Sequence, residues 1–203
     1  MKLLKGIAAF TLVELLVVIS IIAILASLAL PSITGAIVKA QMGQALSNAR
    51  QIHTSVITAV GDAASTGSTN FGWPGDVSAI QSVQNFADML ITNDFLKSQD
   101  VAKVFTCAGM KSIISTTNTA TLSADSCAFN VYKVADSDPG VSVFITTQNL
   151  ATFGQVLTTN LPFKENGFVL LRKAGDGAVY KKSQATETNI LGVLPAQITP
   201  LTQ

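Results

Sequence analysis

Phe10-Thr-Leu-Val-Glu14 begins an apolar run that continues to Leu30, and this run decides how the chain is organised. The 21 residues from 10 to 30 contain a single charged side chain, that of Glu14. As a helix that rises about 1.5 Å per residue, they would span about 30 Å, the thickness of the hydrocarbon core of a bilayer. The run therefore predicts a membrane-spanning helix.

A short basic leader precedes the run. Residues 1–9 carry two charges, Lys2 and Lys5, and the next positive charge along the chain is Lys39. Positive charges flank a membrane helix preferentially on its cytoplasmic side. The N-terminus is therefore predicted to be cytoplasmic, and residues 61–203 are predicted to be exported.

Two simpler interpretations of the run are a secretory signal peptide and a plain membrane anchor. The apolar part of a signal peptide usually has about 7–15 residues before its cleavage site, and this run is longer. A plain anchor is physically sound, but it leaves Glu14 unexplained. A carboxylate at the centre of a bilayer costs about 2.5–3.5 kcal/mol on insertion scales, and an anchor gains nothing from it.

Residues 10–19, Phe-Thr-Leu-Val-Glu-Leu-Leu-Val-Val-Ile, resemble the start of type IV prepilins and of type II secretion pseudopilins. In that family a short basic leader is cut off on the cytoplasmic side, directly before a Phe, and the new N-terminus is methylated. Counting Phe10 as the first residue, Glu14 is the fifth, where the family retains a Glu. Pro31 is the twenty-second, where the family often has a helix-loosening proline.

The resemblance implies cleavage between Ala9 and Phe10, followed by methylation of Phe10. The family usually has Gly directly before the cut, and this chain has Ala9. A cut after Gly6 is the alternative, but it would make Ile7 the first residue and Glu14 the eighth. The spacing therefore favours the bond between Ala9 and Phe10.

The resemblance also implies that Glu14 docks subunits. A buried carboxylate is tolerated when it is paired with a positive group. Cleavage creates such a group, the amine of Phe10, which would meet Glu14 of a neighbouring subunit and set its register. In the alternative interpretation, Glu14 reaches towards the lipid headgroups and takes no part in assembly.

After Pro31 the sequence changes to a striped pattern with helical spacing, so residues 31–60 predict an amphipathic continuation of the helix. Gly61 and Asp62 are a plausible end. Pro31 itself either ends the membrane span or forms a soft point, where the helix can stretch when subunits pack. The apolar stripe consists of Ile33, Ile37, Met42, Leu46, Ala49, Ile52, Val56 and Val60.

The remaining residues, 61–203, predict an exported α+β domain. Helices are expected at residues 77–91, capped by Asp76, at 99–105 and at 150–157. Strands are expected at residues 128–134, 141–146, 168–174 and 178–182, with a hairpin at Gly175-Asp-Gly177. The tail, residues 191–203, is expected to be extended and exposed. The fold class is thus pilin-like α+β, with a long N-terminal helix packed on a small antiparallel sheet of about four strands.

Charge and cysteine content restrict the function further. The net charge is +1, and no basic block follows the leader, so nucleic acid is not an indicated partner. Cys107 and Cys127 are the two cysteines and His53 is the single histidine, too few for a four-ligand zinc site. In an oxidising compartment the two cysteines are predicted to form a disulfide, closing a loop of about 20 residues and contributing ~3 kcal/mol.

The exported part contains few candidate residues for catalysis or metal binding. His53 lies beside the helical stripe and is interpreted as a packed side chain, so a Ser/His/Asp triad has no good candidate and an enzyme is not predicted. Asp136 and Asp138, in the turn that ends at Gly140, could offer oxygens to calcium, as in some secretion pseudopilins. Two aspartates in such a turn are more often only a turn, and no other cofactor or metal is indicated.

Together these features predict a structural subunit of a type IV pilus or of a type II secretion pseudopilus. Its expected partners are the lipid bilayer, a prepilin peptidase and methyltransferase, an inner-membrane assembly platform, further copies of itself and other pilin-like subunits. Its expected location is the bacterial inner membrane before assembly, and a periplasmic pseudopilus or a surface pilus afterwards. The alternatives are a membrane-tethered binding module that does not polymerise and an exported enzyme, which lacks a catalytic set.

Overall fold

The computed structural model describes residues 11–150, 157–158, 161–186 and 199–203. The chain divides into two compact units, Met1–Lys39 and Ala40–Gln203. Within these residues a long α-helix begins in the first unit, and two shorter α-helices and two antiparallel sheets follow in the second. This architecture confirms the predicted α+β class.

Helix α1 covers Leu12–Thr66 and runs without interruption through Pro31. In the second unit one face of α1 is buried, and its apolar residues recur every three or four positions, as a packed helix requires. Of the stripe predicted beyond residue 40, Met42, Ala49, Ile52 and Val56 are buried, whereas Leu46 and Val60 are half-buried. The buried residues are Met42, Ala45, Ala49, Ile52, Val56 and Ala59.

The predicted end of α1 at Gly61 and Asp62 is wrong, because the helix continues to Thr66. The residue that ends it is Gly67, which has a φ of +70° and donates its N–H to the carbonyl of Ala63 at 2.8 Å. A left-handed residue directly after a helix is a common stop, and glycine adopts that conformation without a steric penalty. Gly61 has no such φ, so it only weakens the helix.

A four-stranded antiparallel sheet lies in the second unit, with the strand order β3-β4-β5-β6. The four strands lie where the sequence predicts them, and Gly175-Asp-Gly177 connects the last two as expected. Their bounds are Phe129–Val131 for β3, Val143–Thr147 for β4, Gly167–Arg172 for β5 and Gly177–Lys181 for β6.

Helix α1 packs closely against this sheet at Gly177. A Cβ atom at this position would lie 2.6 Å from the Leu171 Cδ1 atom, 2.9 Å from the Leu170 carbonyl oxygen and 2.9 Å from the Leu46 Cδ1 atom, so a larger residue would disturb strand β5 as well as the contact with α1. Arg50 donates from Nη2 to the carbonyl of Gly177 at 3.2 Å. These contacts fix the second part of α1 on strand β6.

Helix α2 covers Val83–Thr92 and begins six residues after the predicted start. Ser82, not Asp76, is its N-cap, and Ser82 forms a capping box with Asn85. The Asp76 carboxylate instead accepts the backbone N–H of Asp136 at 2.8 Å. Helix α3, Ser98–Val104, confirms the helix predicted over residues 99–105.

A small hairpin lies between the two cysteines, with β1 over Ile114–Ser115 and β2 over Ala120–Thr121. The tail is not fully exposed, because Leu201 is buried and residues 199–203 pair with the sheet edge. The helix predicted over residues 150–157 and the tail before residue 199 lie outside the described residues.

Phenylalanine rings dominate the core of the second unit. Phe86 from α2 contacts Phe105 and Phe144 edge-on, at centroid distances of 6.1 and 6.2 Å. Such edge-to-face pairs contribute about 0.5–1.5 kcal/mol beyond the burial of their area. The core therefore joins α2, the end of α3 and strand β4. The fully buried phenylalanines are Phe86, Phe105, Phe129, Phe144 and Phe168.

Candidate functional site

The start of α1 contains a reciprocal set of hydrogen bonds between Thr11 and Glu14. The backbone N–H and the hydroxyl of Thr11 each donate to the Oε2 atom of Glu14 at 2.8 Å. In return, the backbone N–H of Glu14 donates to the Thr11 Oγ1 atom at 3.2 Å. This is a capping box, which supplies partners to helical N–H groups that have none within the helix.

The capping box was not among the predictions, although Thr11-x-x-Glu14 before an apolar run is its sequence signal. It gives the carboxylate a local role. A negative charge in the first turn of a helix is also favoured by the helix dipole, by about 0.3–1 kcal/mol at an exposed site. Glu14 therefore has partners within its own chain.

The apolar run that follows is fully exposed in the isolated chain. Every side chain over residues 12–30 is exposed, up to 79% for Leu12, and this part of α1 is long and apolar enough to cross a membrane. Contiguous apolar surface of this extent marks a protein–protein or membrane interaction site. The run therefore lacks the partner that would cover it.

The hydroxyls in and just after the run have partners within the helix. Ser20 donates to the carbonyl of Leu16 at 2.7 Å, and Ser27 donates to that of Ile24 at 2.7 Å. A hydroxyl bonded in this way exposes less unsatisfied polarity to an apolar environment. These serines are compatible with burial in lipid or against other helices. A third such hydroxyl is that of Ser32, which donates to the carbonyl of Ala29 at 2.9 Å.

Of the residues predicted to act at this end of the chain, Glu14 lies in the first turn of α1, where its bonding partner is Thr11, a residue to which the sequence analysis gave no role. Ala9 and Phe10 lie outside the described residues, so the cleavage and methylation site stays a prediction. Pro31 lies within α1, and its role as a soft point during assembly stays a prediction as well.

The structure contains no disulfide between Cys107 and Cys127, and both are free thiols. The segments that carry them are joined by a hydrogen bond, in which the backbone N–H of Ala128 donates to the carbonyl of Phe105 at 2.7 Å. Burial raises the pKa of each thiol to about 12. Cys127 is buried and Cys107 is half-buried, and the predicted bond between them is not confirmed.

The turn predicted as a calcium candidate is occupied by a lysine side chain. The ammonium group of Lys173, on a side chain 12% exposed, donates to the backbone carbonyls of Asp136 and Asp138, the latter at 2.8 Å. The Asp138 carboxylate accepts the N–H of Ala135 at 2.7 Å, and Nζ of Lys173 lies 5.5 Å from the centre of the Trp73 ring.

A divalent cation at the same carbonyl oxygens would be repelled by this ammonium group, so the turn does not fit calcium. Among the described residues, no group of three or more His, Cys, Asp or Glu side chains is placed to hold a metal ion.

His53 is a packed side chain, as the sequence indicated. Its Nε2 atom lies 2.7 Å from the backbone carbonyl of Lys173, which can only accept, so Nε2 carries the proton. The ring also contacts Trp73 and Phe144, at centroid distances of 5.8 and 6.1 Å. His53 therefore holds the β5–β6 turn against α1.

Comparisons with known proteins agree with the N-terminal features. The family model described as the prokaryotic N-terminal methylation motif matches residues 4–30. The type IV major fimbrial protein FimA of Dichelobacter nodosus is 38% identical over 66 residues, 32% of this chain. The alignment spans 42% of the length of that protein. No solved structure matches this chain.

The described geometry and the family model overlap from Thr11 to the end of the apolar run. The capping box at Thr11 and Glu14 and the exposed run over residues 12–30 lie inside the matched region. The start of this chain, residues 4–30, therefore carries the N-terminal methylation motif of the prepilin type.

Proposed function

We propose that this chain is a structural subunit of a type IV pilus or of a related secretion pseudopilus. The observation that carries this proposal is the helical run over residues 12–30, whose side chains are all exposed in the isolated chain. The methylation motif and the similarity to a fimbrial protein support it. In this proposal residues 10–30 cross the membrane before assembly and form the filament core after it.

The proposal also assigns a role to each of the other segments of the chain. Residues 1–9 are a leader that a prepilin peptidase removes between Ala9 and Phe10, and the Phe10 amine is then methylated. Residues 31–60 continue the helix, and residues 61–203 are the exported domain. The subunit waits in the bacterial inner membrane, with its N-terminus in the cytoplasm, until an assembly platform adds it to copies of itself and to other pilin-like subunits.

Hydrophobicity alone does not decide whether the apolar run is more stable in the membrane or in the filament. Burying a Leu, Ile or Val side chain is worth about 1.5–3 kcal/mol, so leaving water strongly favours either environment. Lipid chains and neighbouring helices are similarly apolar, and helices in lipid associate through packing and polar contacts. The charged side chain available for that purpose in this run is the Glu14 carboxylate.

In the filament, Glu14 of one subunit would pair with the Phe10 amine of the next. The pairing neutralises two groups that would each be costly alone in an apolar core. It also fixes the axial position of the incoming subunit, because both charges lie within the first five residues of the processed chain. The capping box with Thr11 would hold the carboxylate in place before the amine arrives.

A specific observation favours a second candidate, a membrane-tethered exported module that does not polymerise. The Thr11 capping box gives Glu14 local partners, so a carboxylate in the first turn needs no neighbouring subunit. In that case Glu14 stabilises the start of the helix, and residues 12–30 remain in lipid.

Glu14→Gln separates the two candidates, because glutamine keeps a side-chain oxygen for the capping box but carries no charge. If Glu14 docks subunits, filament yield falls at least about tenfold, since breaking a buried charge pair costs ~3–5 kcal/mol. If Glu14 only caps the helix of a chain that polymerises, Glu14→Gln assembles like the wild type; if the chain is a tether, neither the variant nor the wild type forms filaments. Thr11→Ala is the matched control: it loses the cap, worth about 1 kcal/mol, and keeps the charge.

The direct experiment is electron microscopy of material sheared from the cell surface, with mass spectrometry of any filaments. A surface pilus predicts long filaments that contain this chain. A pseudopilus predicts that the processed chain stays with the inner membrane and forms filaments when overproduced. A chain that is never found in a filament under either condition contradicts the proposal and favours the membrane-tethered module.

We also propose that Cys107 and Cys127 join once the domain is exported to an oxidising compartment. The hydrogen bond between Ala128 and Phe105, which draws the two segments together at 2.7 Å, supports this. The loop they would close has about 20 residues and is worth ~3 kcal/mol in the chain-entropy model. If the disulfide is present, the intact mass of the isolated protein increases by the mass of two hydrogen atoms on reduction; an unchanged mass contradicts the bond.

A further inference from the structure

Strand β3 lies at one edge of the four-stranded sheet, and residues 199–203 cover that edge. The N–H of Leu201 donates to the carbonyl of Val131 at 2.8 Å. The N–H of Lys133 donates to the carbonyl of Thr199 at 3.0 Å, and Pro200 and Tyr132 are antiparallel partners. The segment therefore adds a short fifth strand to the sheet.

The same segment then continues to the start of helix α2. Thr202 is the parallel partner of Ser82 and accepts the N–H of Val83 at 2.8 Å, and its own N–H donates to the carbonyl of Gln81 at 3.2 Å. Val83 is the first residue of α2, so its N–H has no acceptor within the helix. The segment thus satisfies backbone groups of two different elements.

One side chain anchors the segment. Leu201 is 3% exposed, whereas Pro200 and Thr202 on either side of it are exposed. This alternation is that of a strand with one buried face. The amide of Gln203 adds a bond to the carbonyl of Phe129 at 3.1 Å.

We propose that the outer edge of β3 and residues 81–83 form a strand-docking groove, filled within this chain by residues 199–203. The groove recognises an extended peptide by its backbone, and it selects one aliphatic side chain at the position of Leu201. Recognition of this kind, the addition of a strand to a sheet edge, is a general mode of peptide binding. The proposal does not depend on the filament function.

Two consequences follow from filling the groove within the chain. An open sheet edge is a template for pairing with other chains, and the segment removes that hazard at β3. When the chain's own segment is displaced, the same groove would bind a segment of the same sequence from a separate molecule. It would then bind a free peptide with the sequence of residues 196–203.

The test uses the full chain in detergent with Leu201→Asp, which removes the anchor but leaves the rest of the groove unchanged. A fluorescent peptide of residues 196–203 should bind this variant saturably, and it should bind the wild type at least tenfold more weakly, because there the groove is filled. The same peptide with Asp at the Leu201 position should not bind the variant. Equal binding to both chains, or no binding to the variant, overturns the proposal.

Hydrogen exchange of the full chain supplies a second readout that needs no peptide. In Leu201→Asp, the amides of Val83 and Lys133 should exchange much faster than in the wild type, whereas the amide of Tyr132, bonded to the carbonyl of Phe144 at 2.9 Å, should change little. If the variant does not fold, the milder Leu201→Ala is used for both measurements. Unchanged exchange at Val83 and Lys133 in a folded variant contradicts docking.

Discussion

At the scale of single residues, Lys173 has a role that its sequence position does not reveal. It follows strand β5, yet its ammonium group reaches back to the carbonyls of Asp136 and Asp138, which are 37 and 35 residues earlier. Its own carbonyl accepts the His53 ring N–H. Because the acceptors are backbone carbonyls, the residue types around Asp136 do not predict a contact with a lysine.

Lys173→Met should lower the free energy of unfolding by about 1.5–3 kcal/mol, the worth of hydrogen bonds to a charged group. Methionine keeps much of the length of the side chain and removes the charge. Lys181→Met is the control, because Lys181 is exposed and makes no ion pair among the described residues. Chemical denaturation in detergent measures both variants.

Since the ammonium group occupies the turn, neither calcium nor a chelator should change the melting temperature of the wild type. A melting temperature that rises with calcium would show that the turn binds the metal in spite of Lys173. An unaltered stability of Lys173→Met would show that the contact contributes nothing.

The two thiols predict a dependence on pH. Their pKa is raised from an ordinary value of 9.0 to about 12, with burial as the largest cause. A raised pKa means that the folded state favours the neutral thiols, so this stability is complete below pH 9 and is lost as the pH rises towards 12. Unfolding of the reduced chain should become easier over that range, by more than in the oxidised chain, which has no thiols if the disulfide forms. Identical pH profiles of reduced and oxidised protein would contradict this.

At the scale of elements, the strands of the sheet and the stripe of α1 could be predicted because their signals are local. Apolar periodicity over residues 42–59 and the Gly175-Asp-Gly177 turn lie within single elements. The start of α2 and the end of α1 could not be predicted reliably. Asp76 and Ser82 are both good caps, and the choice depends on a contact of Asp76 with Asp136, far along the chain.

Two glycines near the end of α1 give a matched prediction. Gly61→Ala should stabilise the protein by up to ~1 kcal/mol, because Gly61 is inside the helix and an added Cβ would meet nothing within 4 Å. Gly67→Ala should destabilise it by about 1–2 kcal/mol, since Gly67 has a φ of +70°. Thermal unfolding of the two variants checks the pair, and effects of equal sign would place the end of the helix elsewhere.

At the scale of the whole molecule, the described residues fall into a unit that buries its apolar side chains and one that does not. Every buried apolar side chain among the described residues lies at Met42 or later. The motif at the start of the chain could be predicted from sequence, because its residues are close together and each has a fixed spacing. The capping box was missed although its signal is local, and the docking of residues 199–203 was missed because it joins distant segments.

The proposed docking of subunits depends most on the bond between Ala9 and Phe10. If it is cut, Phe10 supplies the amine that Glu14 can pair with; if it stays intact, that amine does not exist and the chain is a tether. The most direct measurement is the N-terminal mass spectrum of the protein isolated from its native cells. If Glu14 docks on the amine of a neighbouring subunit, the isolated chain begins at a methylated Phe10. A chain that begins at Ile7, or one that retains residues 1–9, would contradict it.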